Sequence, residues 1–262
     1  MNVSTIPVWS AIPAAAAAGA GLAAWAAMHP AAQLFGPTIR RVPPGLGART
    51  LALTFDDGPN PAITPRLLDL LARYNARATF FLVGRFARAC PELAREIAAR
   101  GHTVGNHTHT HPNLIWLSNK RLAEELGRCQ EAVAEATLAG APRWMRPPYG
   151  FRGPHLDAAV RRQGLQGVVM WTVIAYDWKP QPASQLIERL RRVVPGGSRR
   201  GGDIVVLHDG NHRGLGGQRE HVLGALEYWL PRWRDAGAEF VTMDEAGDAG
   251  GAESATRRRQ AS

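Results

Sequence analysis

Five short stretches of this chain hold side chains able to carry out hydrolysis. In TFDDGPNP, Asp56 and Asp57 are adjacent carboxylates at the end of an apolar run. Like charges this close are costly unless a cation or a proton resolves them. Gly58 and Pro59 then turn the chain and fix both side chains at that end. In GNHTHTHPN, His107, His109 and His111 alternate. A helical turn would put His107 and His111 on one face, and an extended segment would put all three on one side. Imidazoles so placed suit a first-row metal. Two histidines and one aspartate leave positions open for water, as a catalytic metal site does. In RPPYG, Arg146 is able to hold a carboxylate bidentately. The prolines keep that chain extended, which frees the Tyr149 N–H to face a site as an oxyanion donor. In AYDWKP, Asp177 stands beside Trp178, an apolar wall for a sugar or acetyl group. In IVVLHDG, His208 leaves an apolar run, and an imidazole suits general acid work. Each stretch alone has an ordinary structural explanation: a turn, a surface loop, a Pro-rich loop, a structural histidine. Their joint occurrence at strand ends does not.

The elements that must position these residues alternate. Short apolar or β-branched runs lie at residues 51–55, 78–84, 102–106, 143–148, 166–173, 203–209 and 239–243. Between them, helical spacing marks 64–75, 90–101, 117–137, 153–164, 183–193 and 219–237. Thr64 and Ser118 read as N-caps, Gly101 as a helix stop, and Pro231 as a kink or break. About seven strands alternating with helices predict an α/β fold with a parallel sheet. Polar groups at the C-terminal ends of at least five strands predict that the sheet is a barrel with the site at its mouth.

The flanks differ. From Ile6 to Met28 the chain is uncharged and Ala-rich, with Trp9 and Trp25 near the ends. Residues 1–36 are therefore expected to be a hydrophobic helical segment that anchors the protein in a membrane, as a single span at the cell envelope. A cleaved signal peptide is the alternative, although a basic n-region is missing. Residues 37–47 read as a Pro- and Gly-rich linker, and 246–262 as a disordered basic tail.

The 262 residues carry a formal charge of +9, with hydrophobic residues at 45%. That composition excludes global disorder and favours anionic partners. Arg199, Arg200 and Arg257–Arg259 hold much of the charge, but no nucleic-acid-binding signature accompanies it, so nucleic acid is not expected. Cys90 and Cys129 are too few for a disulfide framework or a cysteine zinc site and read as packing residues.

Taken together, the five stretches resemble the polysaccharide deacetylase family, the NodB-like domain of carbohydrate esterase family four. The resemblance covers about residues 48 to 245. It implies a distorted (β/α) barrel of about seven strands and one divalent metal, usually zinc. By position, Asp57, His107 and His111 look like the metal ligands. Asp56 looks like the general base held by Arg146, and His208 like the general acid tuned by Asp177. Tyr149 would supply its backbone N–H, and Trp178 would line the acetyl pocket. His109 matches no ligand position. The chain departs from the family at Ile174, where a second Asp is common, and at Val206, where Leu is usual and the acetyl pocket would change slightly. The implied activity is hydrolysis of N-acetyl groups on amino sugars of a polysaccharide or glycolipid by a monomeric chain. Two alternatives stay open: removal of a formyl group from a lipid-linked amino sugar, and a non-catalytic carbohydrate-binding relative.

Overall fold

The computed structural model describes residues 8–47, 49–196 and 201–260. Helix α1 spans Val8–Met28, followed by strands β1 (Thr38–Ile39) and β2 (Arg41–Val42). Next come β3 (Thr50–Gly58), α2 (Thr64–Arg73), β4 (Ala78–Leu82), α3 (Gly84–Ala89), α4 (Pro91–Ala99) and β5 (Thr103–Asn106). The long α5 (Asn119–Thr137) leads to β6 (Trp144–Met145), α6 (Leu156–Arg162), β7 (Gly167–Val169) and β8 (Val173–Ile174). The chain ends with α7 (Ala183–Leu190), β9 (Gly202–His208), α8 (Glu220–Asp235), β10 (Glu239–Phe240) and α9 (Met243–Gln260).

The strands form one sheet in the order β1-β7-β6-β5-β4-β3-β9-β2, with β8 on β9 and β10 on β3. Every pairing is parallel except β2 with β9. The two ends of that path, β1 and β2, are consecutive in the chain, so residues 38–42 bridge the gap between β7 and β9. The expected linker is thus part of the distorted barrel. Paired backbone, rather than side-chain periodicity, holds it there.

Strand alternation divides the core. On β3, Leu51, Leu53 and Phe55 join an outer cluster with Phe80, Leu82, Val205 and Leu207 and with apolar faces of the surrounding helices. The intervening Ala52 packs in a separate cluster with Phe81, Val169 and Ile204. Thr54 and Asp56 continue that inner row toward the mouth. The opposite end is covered by the start of α9. Met243 and Ala246 are buried there, Trp144 Nε1 donates to Asp244 at 2.9 Å, and Thr103 Oγ1 donates to Asp244 at 2.8 Å. Thr242 and Glu245 exchange reciprocal bonds, a capping box that starts this helix. The tail expected to be disordered is therefore helical as far as Gln260. The capped first turn, anchored to the barrel, starts a helix that continues through Gly247, Gly250 and Gly251 despite their low propensity.

The N-terminal expectation is also overturned. No helix among the described residues is long and apolar enough to cross a membrane, so the predicted single-pass anchor and the cell-envelope location built on it are not supported. Between residues 16 and 28 only Leu22, Trp25 and Met28 are large apolar side chains. Alanine supplies helix propensity and little apolar surface. The end of α1 is instead fastened to the barrel. Arg152, fully buried, donates to the carbonyls of Ala32 (2.7 Å), Ala26 (3.0 Å) and His29, and its own N–H donates to Ala27 (2.9 Å). A guanidinium there satisfies carbonyls that a helix end leaves open.

Smaller differences follow local contacts. Ser118 caps α5 as expected. Thr64 instead begins α2 and turns its hydroxyl to Asp209. Helix α8 runs through Pro231 without a break. Cys90 and Cys129 are both free thiols. Arg199 and Arg200 lie outside the described residues.

Candidate active site

The site starts with an irregularity in β3. In a regular strand, Asp56 and Asp57 would point to opposite faces. The register with β4 shifts between Asp56 and Gly58, and Asp57 takes a left-handed φ of 71°. This bulge turns the second carboxylate back toward the mouth. Gly58 has no side chain because the Asp209 carboxyl occupies the space its Cβ would need.

The histidine loop is neither the helical turn nor the extended segment that its spacing allowed. Thr108 and His111 both have left-handed φ values, 65° and 62°. Asn106 accepts the Thr108 N–H at 2.8 Å, and the Thr108 hydroxyl accepts the His111 N–H at 3.1 Å. Glu125 on α5 accepts the N–H groups of His109 (3.0 Å) and Thr110 (2.8 Å) and the Thr110 hydroxyl (2.8 Å). Glu125 is a buried carboxylate among apolar helix neighbours Leu122, Leu126 and Cys129. That mismatch is the sequence signal that would have found it. His109 is buried against Gly84 and takes no part in the cluster.

His107 and His111 thereby face Asp57. Their Nε2 atoms lie 3.5 and 3.2 Å from Asp57 Oδ1. One ligand atom from each of the three lies within 4.8 Å of the others, and all three residues are buried. His107 Nδ1 is 2.8 Å from the Arg146 carbonyl. A carbonyl only accepts, so the proton sits on Nδ1 and the Nε2 lone pair is free. Asp57 Oδ1 is buried without a hydrogen-bond partner among the described residues. These donors fit a divalent cation: two imidazole nitrogens, one carboxylate oxygen, and an orphaned acceptor at the focus. Burial pushes the His111 imidazole down to about 3, with His107 adding to the effect, so it stays neutral as a ligand must. Burial alone would raise the Asp57 carboxyl, but the imidazoles around it, His107 and His212 first and His208 and His111 after them, hold it well below the usual carboxylate range.

Asp56 sits beside this cluster in register with His208 on β9. Arg146 is fully buried and gives Asp56 one N–H at 2.9 Å. Its other donors go to Thr54 Oγ1 (2.6 Å) and the carbonyls of Val169 and Met170 (3.2 Å each), and its plane lies over Phe81. The bidentate grip expected from sequence is thus a single contact, because the remaining guanidinium edges serve the barrel wall. On the other side, Asp177 accepts the His208 Nδ1–H at 2.9 Å and its backbone N–H at 2.6 Å. His221 holds the Asp177 carbonyl at 2.7 Å. Burial would lower the His208 imidazole, but the Asp177 charge and hydrogen bond, with Asp57 and Asp56 beyond, raise it to about 9.

Of the ten residues given roles from the sequence, eight line one cavity and two stand behind it. Asp56, Asp57, His107, His111, Tyr149, Trp178, Val206 and His208 line one cavity of about 790 Å³. Arg146 and Asp177 stand behind Asp56 and His208. Tyr149 has φ 59°, and its N–H donates to no acceptor among the described residues. Trp171 and Ile174 add to the apolar wall.

Besides Glu125, His212 and Asp209 were missed in the sequence. His212 stacks on His111 (centroids 4.3 Å apart) and brings Nδ1 to 3.6 Å from Asp57 Oδ2. It lies in a Gly-rich loop with no periodicity to place it. Asp209 is fully buried, accepts the Thr64 hydroxyl, and is pushed up to about 7 by burial. It directly follows His208, in the motif itself.

The chain is similar to known proteins in both sequence and fold. The polysaccharide deacetylase family profile matches residues 45–168. A chitooligosaccharide deacetylase of Bradyrhizobium sp. (strain ANU 289) is 35% identical over 205 residues, covering 76% of this chain and 91% of that one. A crystal structure of a peptidoglycan N-acetylglucosamine deacetylase superposes with a TM-score of 0.69 at 32% identity, covering 80% of this chain and 92% of the other. A family 4 carbohydrate esterase pseudoenzyme from Bacillus anthracis also superposes, with a TM-score of 0.69 at 26% identity over 80% and 68% of the two chains. The fold alone therefore does not guarantee turnover, and the residues at the mouth carry the argument. This chain belongs to the polysaccharide deacetylase family, hydrolases of carbon–nitrogen amide bonds.

Proposed function

We propose that the protein removes N-acetyl groups from amino sugars of a polysaccharide or glycoconjugate, using one zinc ion held by Asp57, His107 and His111. One observation carries this reading: a carboxylate on an arginine, Asp56, and an imidazole on a carboxylate, His208, flank the same three-donor cluster in one cavity. Bound there, the metal would supply Lewis acidity for the amide carbonyl and for water. Asp56 is the general base that takes the proton of the attacking water, and Arg146 keeps it aimed. The Tyr149 N–H donates to the oxygen that gains charge as the carbonyl becomes tetrahedral. His208, kept protonated by Asp177, gives its Nε2 proton to the departing amine, which leaves poorly without it. Trp178 and Val206, with Ile174 and Trp171, form the wall for the acetyl methyl group. No observation favours the formyl alternative.

The test is acetate release from N-acetylglucosamine oligomers and peptidoglycan fragments. It is expected to require zinc and to fall by at least about 10²-fold in Asp56→Asn. Acetate release that survives both chelation and Asp56→Asn would sink the assignment.

A further inference from the structure

The cavity changes character along the segment from Asp209 to Arg219, where Asn211, His212, Arg213, Gln218 and Arg219 line it. Arg219 is only 8% exposed. One Nη donates to the Gln218 carbonyl at 3.0 Å, and Nε is buried with no partner among the described residues. No carboxylate among the described residues pairs with it. Asp56 is taken by Arg146, Asp57 by imidazoles, Asp177 by His208, and neighbouring Glu220 faces Arg66. A buried guanidinium without a counter-charge is costly unless a ligand supplies one. The edge left open, Nε with the second Nη, is the edge that grips an oxyanion through two parallel bonds.

A second feature points the same way. Arg219 is the N-cap of the 16-residue helix α8, which has no side-chain cap. Its first N–H groups and the positive end of its dipole favour an anion beside Arg219. Arg213 adds an exposed cation on the same wall.

We propose that this corner is an anion subsite. Arg219, the start of α8 and Arg213 hold an oxyanion substituent, a carboxylate or a phosphate, on the amino sugar being deacetylated or on the sugar joined to it. This rests on the deacetylase reading and narrows its substrate class to anionic glycans.

The experiment compares kcat/KM for acetate release from three soluble substrates: a neutral N-acetylglucosamine tetramer, a tetrasaccharide whose alternate sugars bear a lactyl carboxylate, and a tetramer ending in a 1-phosphate. At least one anionic substrate is expected to exceed the neutral one by about tenfold or more. The substrate that does so identifies the substituent. Arg219→Gln should erase that advantage, chiefly through KM, and Arg219→Lys should restore part of it. Equal rates on neutral and anionic substrates in the wild-type protein would overturn the subsite, as would an advantage that survives Arg219→Gln. Calorimetry of inorganic phosphate against chelated wild-type protein gives a readout that needs neither turnover nor the variant. Binding there supports the subsite, and its absence overturns it. If no substrate yields acetate, the deacetylase reading fails while the calorimetry still decides the subsite.

Discussion

Replacing Asp177 with Asn tests how the acid is made. The wild-type carboxylate accepts both the His208 Nδ1–H and the His208 backbone N–H. An amide has one acceptor oxygen, so one of these bonds is lost or reversed, and the negative charge goes entirely. Burial, which lowers the imidazole, remains, and so do Asp57 and Asp56, which raise it. His208 should therefore fall from about 9 toward its ordinary 6.5. A full fall corresponds to roughly 3 kcal/mol of lost preference for the imidazolium. At pH 7.5 the protonated fraction would then drop from nearly all to about a tenth, so protonation alone should cost up to about tenfold in kcat. The alkaline limb of the kcat profile, near 9 in the wild type, should move toward 6.5 in the variant. The effect on stability has a definite sign. A folded-state value raised above the unfolded one stabilises the fold fully below about pH 6.5 and ceases to do so as pH rises through about 9. The stability gap between wild type and Asp177→Asn should thus be widest below pH 6.5 and narrow above pH 9. Urea titrations across that range measure it. An alkaline limb that stays in place in Asp177→Asn would refute the assignment of Asp177 as the source of the acid.

Metal removal should lower Tm, and zinc at about 100 times its Kd should restore about 2.7 kcal/mol, an increment that His111→Ala abolishes in a thermal melt. Arg146→Ala leaves Asp56 buried without its partner and should destabilise the fold by about 3–5 kcal/mol in urea unfolding. Arg152→Ala strands the carbonyls of Ala26, His29 and Ala32, so residues 26–36 should lose amide-exchange protection while zinc affinity stays unchanged. A Cβ at Gly210 would overlap the Asp57 carbonyl, so Gly210→Ala should weaken zinc binding by about tenfold or more in a chelator competition.

Much of the site was legible because its chemistry is local. The Asp56–Asp57 pair, the His107–His111 spacing, RPPYG and LHD are short stretches whose residue types suit few other tasks. The alternation of apolar runs also sufficed to infer a parallel α/β sheet with its polar groups at one end. Residues acting from a distance were harder to see. Glu125 braces the histidine loop from a helix, and His212 arrives on a loop without pattern. Arg152 reads as an ordinary surface cation until the helix end that it caps is folded beside it.

The amino-acid sequence thus determined the inventory of donors, their order along the strands and the architecture able to gather them. Tertiary structure decided how they face one another. The bulge at Asp57 makes adjacent carboxylates share one side, which alternation forbids in a regular strand. The pairing of β1 with β7 and β2 with β9 turns an apparent linker into barrel wall. Both depend on partners far away in the chain, so no local propensity records them. The same holds for α1. Its composition suggested a bilayer, but the buried Arg152 shows where its end is seated.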